Sequence, residues 1–120
     1  MSNVYLTHTG SFTARHGHGG TLAEEVHTHT FTYEITLYGP LNNEGYLLDF
    51  RHVAAVLDEK INRVLEGQTL NDLFETPTTE IICVWIFNQL KKEFIQLQSV
   101  KLAEAPDRWI TYTGDELCRK

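Results

Sequence analysis

Six histidines occur in 120 residues, and four of them, His16, His18, His27 and His29, fall between positions 16 and 29. In a strand, side chains two apart project from one face, so His27-Thr28-His29 would offer two imidazoles to a single point. His16, at the end of a neighbouring strand, can bring a third to the same face. Three imidazoles with an open position let zinc polarise a substrate oxygen or activate a bound water, although by affinity such a set also suits copper or nickel. Taken alone, the His-x-His pair also fits two solvated imidazoles beside a loop. His18 lies in Gly17-His18-Gly19-Gly20, and His8 and His52 lack clustered partners; these three read as structural or surface residues.

The other metal-binding residue types are scarce. Cys83 sits inside the apolar run Ile81-Ile82-Cys83-Val84-Trp85-Ile86-Phe87, which suits a small buried thiol, and Cys118 lies in the tail. No disulfide framework or cysteine-based zinc module follows. With 10 Lys+Arg against 16 Asp+Glu the formal charge is -6, which repels a polyanion, so nucleic acid is not expected as a partner. No apolar run reaches the roughly 20 residues of a bilayer-spanning helix, and Met1-Ser2-Asn3-Val4 does not begin a secretory signal. The expectation is a soluble, cytoplasmic protein with one domain over 1–120.

These side chains need elements to hold them. Val4 to Phe12 and Thr28 to Tyr38 read as strands, the second with alternation of period two, and Gly39-Pro40 with Asn42-Asn43-Glu44-Gly45 reads as a turn. Asp49 precedes a helix over about 50–66, where Val53, Leu57, Ile61 and Val64 recur with Ala54 and Leu65 beside them, and Gly67 stops it. Pro77-Thr78-Thr79-Glu80 opens a second helix, in which either threonine can cap; it runs to about Glu93 or Phe94 with Ile82, Trp85, Ile86 and Gln89 or Leu90 as its apolar stripe. Gln98 to Glu104 and Trp109 to Thr113, separated by Pro106-Asp107, form a hairpin. The order β-β-α-α-β-β implies an α+β fold, with a four-stranded antiparallel sheet and both helices on one face.

Together these segments resemble the 6-pyruvoyltetrahydropterin synthase and 6-carboxytetrahydropterin synthase family, from about Val4 to Tyr112. Phe12-Thr13-Ala14-Arg15-His16 is similar to the family's Phe-x-Ala-x-His, and His27-Thr28-His29 to its His-Gly-His, which together supply the zinc ligands. Gly45-Tyr46-Leu47-Leu48-Asp49-Phe50 resembles the Gly-x-x-x-Asp-Phe at the start of the first helix. Leu70-Asn71, Pro77-Thr78-Thr79-Glu80 and Glu104 before Ala105-Pro106 follow in order. The resemblance implies the tunnelling fold, assembled around a pore, commonly as a homohexameric dimer of trimers, with active sites between subunits. It also implies that Glu104 grips the edge of a small-molecule pterin through paired hydrogen bonds, and that Thr78, Thr79 and Glu80 line the same pocket.

The chain departs from that pattern where protons move. Ala23 stands where familiar members have a cysteine, and Gly67 where they have the histidine of an Asp-His pair. Glu24, three residues before His27, matches a subgroup with Glu-x-x-His, associated with cleaving the side chain of dihydroneopterin triphosphate to give 6-hydroxymethyl-dihydropterin. A carboxylate serves as a base if burial lifts its pKa, which a nearby metal opposes; a solvated acidic loop at Glu24-Glu25 is the plainer alternative. The expected activity is a zinc-dependent lyase acting on a dihydropterin, with Zn2+ on His16, His27 and His29 and Glu24 as base. One alternative is a 6-pyruvoyl- or 6-carboxytetrahydropterin synthase activity with a relocated base such as His18. Another is a non-catalytic zinc-containing pterin- or purine-binding protein. Cations for a triphosphate are scattered, at Arg15, Arg51, Lys101 and Arg108.

Overall fold

Alternation of residue type decides which side of each strand is buried, and here it gives the sheet one apolar face. On the second strand Phe31, Tyr33, Ile35 and Leu37 are buried, while Thr30, Thr32, Glu34 and Thr36 lie on the opposite face. The computed structural model describes residues 2–17 and 27–114. Its elements are β1 (Asn3–His16), β2 (His27–Pro40), α1 (Phe50–Leu57), a π-helical turn (Asp58–Asn62), α2 (Arg63–Leu65), a 3-10 turn (Leu70–Asp72), α3 (Thr79–Lys91), β3 (Leu97–Ala105) and β4 (Arg108–Tyr112). The four strands form one antiparallel sheet in the order β1-β2-β3-β4, and the helices cover its apolar face as the α+β pattern requires. Each fully buried leucine or isoleucine of this layer contributes about 1.5–3 kcal/mol.

Both strands of the first hairpin are longer than their alternation suggests. Thr13 to His16 extend β1 because they pair with His27 to Thr30, a register no local pattern encodes. The helical segment after Asp49 also differs in detail. Asp49 caps it, accepting from the Arg51 N–H at 2.9 Å, and Gly67 ends it with φ 75°. Its buried residues are Val53, Val56, Leu57, Ile61 and Leu65, whereas Val64, expected on the apolar stripe, is 39% exposed. Val53, Leu57, Ile61 and Leu65 are spaced by four at every step, which drifts around a regular α-helix. The π turn at Asp58–Asn62 absorbs one extra residue and keeps the stripe on the sheet.

Thr78, rather than Thr79, caps α3, its hydroxyl accepting from the Ile81 N–H at 3.1 Å. The helix closes at Lys91, short of Phe94, because the Leu90 carbonyl accepts from the N–H groups of both Glu93 and Phe94 and turns the chain toward β3. Its buried stripe is Ile82, Cys83, Ile86, Phe87 and Leu90; Trp85 is only half-buried, edge-on to Phe74. Burial pushes the Cys83 thiol up to about 11, the state of an inert core cysteine. Among the described residues no helix is long and apolar enough to cross a membrane.

Candidate functional site

The apolar face of the sheet ends in polar residues at one corner, and that corner is where chemistry is available. Along β1 the inward positions run Phe12, Ala14, His16; along β2 they run Phe31, His29, His27; along β3 they run Val100, Leu102, Glu104. Period two therefore carries each imidazole and the Glu104 carboxylate onto the same side of the sheet as the core. His16 is 1% exposed, its ring edge-on to Phe31 at 5.3 Å and to His29 at 5.0 Å.

His16, His29 and Glu104 form a group whose possible ligand atoms all lie within 4.8 Å of one another. His27 is exposed at the start of β2, its ring 6.4 Å from that of His29, beside this group rather than in it. Of the three histidines expected as ligands, the fold thus brings two into the cluster found among the described residues and adds a carboxylate that spacing alone could not supply. The alternation was its signal: a glutamate in phase with Val100 and Leu102 on the buried side of a strand. His8 and His52 stand apart from this corner, the latter edge-on to Phe94.

The electrostatics of the cluster are specific. His16 Nδ1 donates to the Pro77 carbonyl at 2.7 Å, since a carbonyl can only accept. Nε2 faces Oε1 of Glu104 at 3.1 Å. With the proton on Nδ1, Nε2 carries the lone pair through which an imidazole binds a metal. Two imidazoles and a carboxylate fit a divalent metal of the zinc type, and a backbone carbonyl on the far nitrogen is how such histidines are usually oriented. Burial raises the pKa of Glu104, but the Thr79 hydroxyl and the charge His16 and His29 can carry outweigh it, holding the carboxyl below its ordinary value.

Beside the cluster lies a cavity of about 450 Å³ lined by Thr78, Thr79, Glu80, Glu104, Asp107, Arg108, Trp109 and Ile110. Thr79 Oγ1 donates to Glu104 Oε1 at 3.1 Å, and Arg108 reaches toward Oε2 at 3.9 Å. Thr78, Thr79 and Glu80 thus share this cavity with Glu104. Among the four scattered cations, Arg15 and Lys101 fall on the opposite face of the sheet by alternation, and Arg51 pairs with Asp49. Arg108 is the one that lines the cavity. Ala23, Glu24 and His18 lie outside the described residues, as does Cys118. Gly67, at the position of the missing histidine, donates its N–H to the Thr13 carbonyl at 2.7 Å.

Residues 5–115 match the family model described as 6-pyruvoyl tetrahydropterin synthase. An Archaeoglobus fulgidus protein named as a candidate 6-carboxy-5,6,7,8-tetrahydropterin synthase is 31% identical, over 82% of this chain and 86% of its own. A Pyrococcus furiosus protein named dihydroneopterin monophosphate aldolase is also 31% identical, over 82% of this chain and 88% of its own. The structure of Caenorhabditis elegans 6-pyruvoyl tetrahydropterin synthase superposes with a TM-score of 0.84 at 22% identity, covering 96% of this chain and 98% of that one.

Proposed function

The chain belongs to the 6-pyruvoyl tetrahydropterin synthase family, whose members are lyase-type enzymes acting on pterins, and we propose that it is a zinc-dependent member that cleaves the side chain of 7,8-dihydroneopterin triphosphate. The product would be 6-hydroxymethyl-dihydropterin. The observation that carries the metal reading is the convergence of His16 and His29, whose possible ligand atoms lie within 4.8 Å of each other, with Nδ1 of His16 committed to the Pro77 carbonyl. His16 and His29 would hold the metal, with His27 as third imidazole. When bound, zinc supplies a Lewis acid that polarises the side-chain hydroxyl oxygens. Glu24 takes the proton of the C2′ hydroxyl as the C1′–C2′ bond breaks, and a proton is returned to C1′. The other product is glycolaldehyde still bearing its phosphates.

Glu104, kept ionised, accepts hydrogen bonds from the amino group and ring N–H of the pterin, and Thr79 fixes its orientation. Thr78 and Glu80 complete that wall. The likeness to a dihydroneopterin monophosphate aldolase supports carbon-carbon cleavage. The equal likeness to a candidate 6-carboxytetrahydropterin synthase supports a second reading, synthase activity with a relocated base such as His18. The joint presence of Ala23 and Gly67 favours a third, a pterin- or purine-binding protein without catalysis. A cytoplasmic homo-oligomer, a dimer of trimers, is part of the proposal; β1 and β4, the two edges of the sheet, are the strands through which copies would join, and sedimentation equilibrium tests the assembly.

Incubation of zinc-loaded protein with 7,8-dihydroneopterin triphosphate and monophosphate, with products identified by mass, decides among these readings. The expected product is 6-hydroxymethyl-dihydropterin; a pyruvoyl or carboxy product supports the second reading, and binding without turnover the third. Glu24→Gln should abolish turnover and keep zinc. Glu104→Gln should keep zinc and weaken pterin binding, whereas loss of zinc in that variant would make Glu104 a metal ligand instead.

A further inference from the structure

Between Glu66 and Pro77 the chain runs beside the end of β1 and is bonded to it repeatedly. The Thr13 N–H donates to Glu66 Oε1 at 3.0 Å and the Gly67 N–H to the Thr13 carbonyl at 2.7 Å. The Arg15 N–H donates to the Gln68 carbonyl at 2.9 Å, its Nε donates to Thr69 Oγ1 at 3.1 Å, and Arg15 and Thr69 form a parallel bridge. Asn71 makes the next contact. Its Oδ1 accepts from the Gly17 N–H at 2.9 Å, and its Nδ2 donates to the Gly17 carbonyl at 3.2 Å.

That pair of bonds falls where β1 needs it. The ladder with β2 ends at His16 and His27, and Gly17 is buried, so its N–H and C=O require partners from elsewhere. A carboxamide offers the same donor and acceptor as a peptide group and can stand in for the absent strand. Asp would supply acceptors only and Leu neither. His16 is consequently held at Arg15 before it, at Gly17 after it and at its own Nδ1 by one stretch of chain, residues 66–77.

We propose that Asn71 is a positioning residue for the metal site: by fixing the Gly17 peptide it sets the direction in which the His16 imidazole meets His29 and Glu104. Asn71 itself is exposed and contributes to no hydrophobic layer, so its task is local. Groups that orient a metal ligand without touching the metal typically change metal affinity by about 10–100-fold when lost. The proposal rests on the metal reading above.

The test compares Asn71→Leu and Asn71→Asp with wild type and with Thr69→Val, which removes another side-chain bond from the same stretch but on the far face of the sheet. Zinc affinity by chelator competition is expected to fall about 10-fold or more in Asn71→Leu and in Asn71→Asp, and to stay near wild type in Thr69→Val. Exchange of the Gly17 amide is expected to accelerate in Asn71→Leu and to remain slow in Asn71→Asp, which keeps the acceptor. Turnover should fall with KM for the pterin unchanged, because Thr79 and Glu104 stand on α3 and β3. Should Asn71→Leu fail to fold, Asn71→Asp carries the affinity comparison. Wild-type protein that takes up no zinc overturns both this proposal and the metal reading. Equal zinc affinity in wild type and the Asn71 variants overturns this proposal alone, as does an equal loss in Thr69→Val.

Discussion

Tyr33 provides a perturbation whose size and sign follow from the structure. Its ring is 2% exposed, and its hydroxyl donates to Asn62 Oδ1 at 2.6 Å on the π turn. Asn62 in turn donates to the Ser11 carbonyl at 2.7 Å, so one short chain of bonds ties the helical layer to both strands of the first hairpin. Burial of the phenol, with a smaller contribution from the Asp58 charge, pushes its pKa up from 10.0 to about 12. Between those values the unfolded chain gives up the proton and the folded chain keeps it, so the unfolded state binds fewer protons and stability falls as pH rises. At about 1.36 kcal/mol per unit the loss is about 2.7 kcal/mol, fully developed only above the folded pKa. Tyr33→Phe removes that slope and costs about 1 kcal/mol at neutral pH through the lost hydrogen bond. The two stability curves should then cross at roughly pH 11. Urea unfolding from about pH 8 to about pH 12 measures both, and subtracting the variant from the wild type cancels the other four tyrosines and the lysines. Parallel curves would refute the reasoning, because they would mean that the hydroxyl titrates alike in both states.

Gly10 lies directly across the ladder from Tyr33, and a methyl group there would run into the phenol ring; Gly10→Ala should cost about 1–3 kcal/mol, read from the urea midpoint. Thr79→Val removes the hydroxyl that orients Glu104, and a lost hydrogen bond of about 1 kcal/mol should raise KM for the pterin about fivefold with zinc content unchanged. A chelator should lower the melting temperature of the wild-type protein, because a ligand bound only to the folded state stabilises it, and His29→Ala should remove that chelator effect in calorimetry.

The segments that could be read from sequence were those whose signal is local. The order β-β-α-α-β-β followed from hydrophobic period, and the ends of the first helix from Asp49 and Gly67, which cap and stop it through bonds within a turn. Val64 was misplaced because a spacing of four can be met by a π turn, whose cost and benefit depend on the sheet below. Alternation carries the first strand only to Phe12; its continuation through Thr13, Ala14 and Arg15 to His16, where the site needs it, is held by partners in β2 and in residues 66–69.

The site divides in the same way. Type and alternation pointed to His16, His27 and His29 as candidates, since a strand sends every second side chain to one face whatever else the chain does, and the family resemblance added Glu104. Which of them meet was a matter of register and layer packing. His16 faces Glu104 across 88 positions of sequence, with its tautomer set by a carbonyl at Pro77 and its backbone held by Asn71. Sequence determined which residues could do the chemistry, because period and residue type are local properties. Tertiary structure decided that, among the described residues, His16, His29 and Glu104 come together, because distances between separate strands are set only when the sheet and its helices close on a common core.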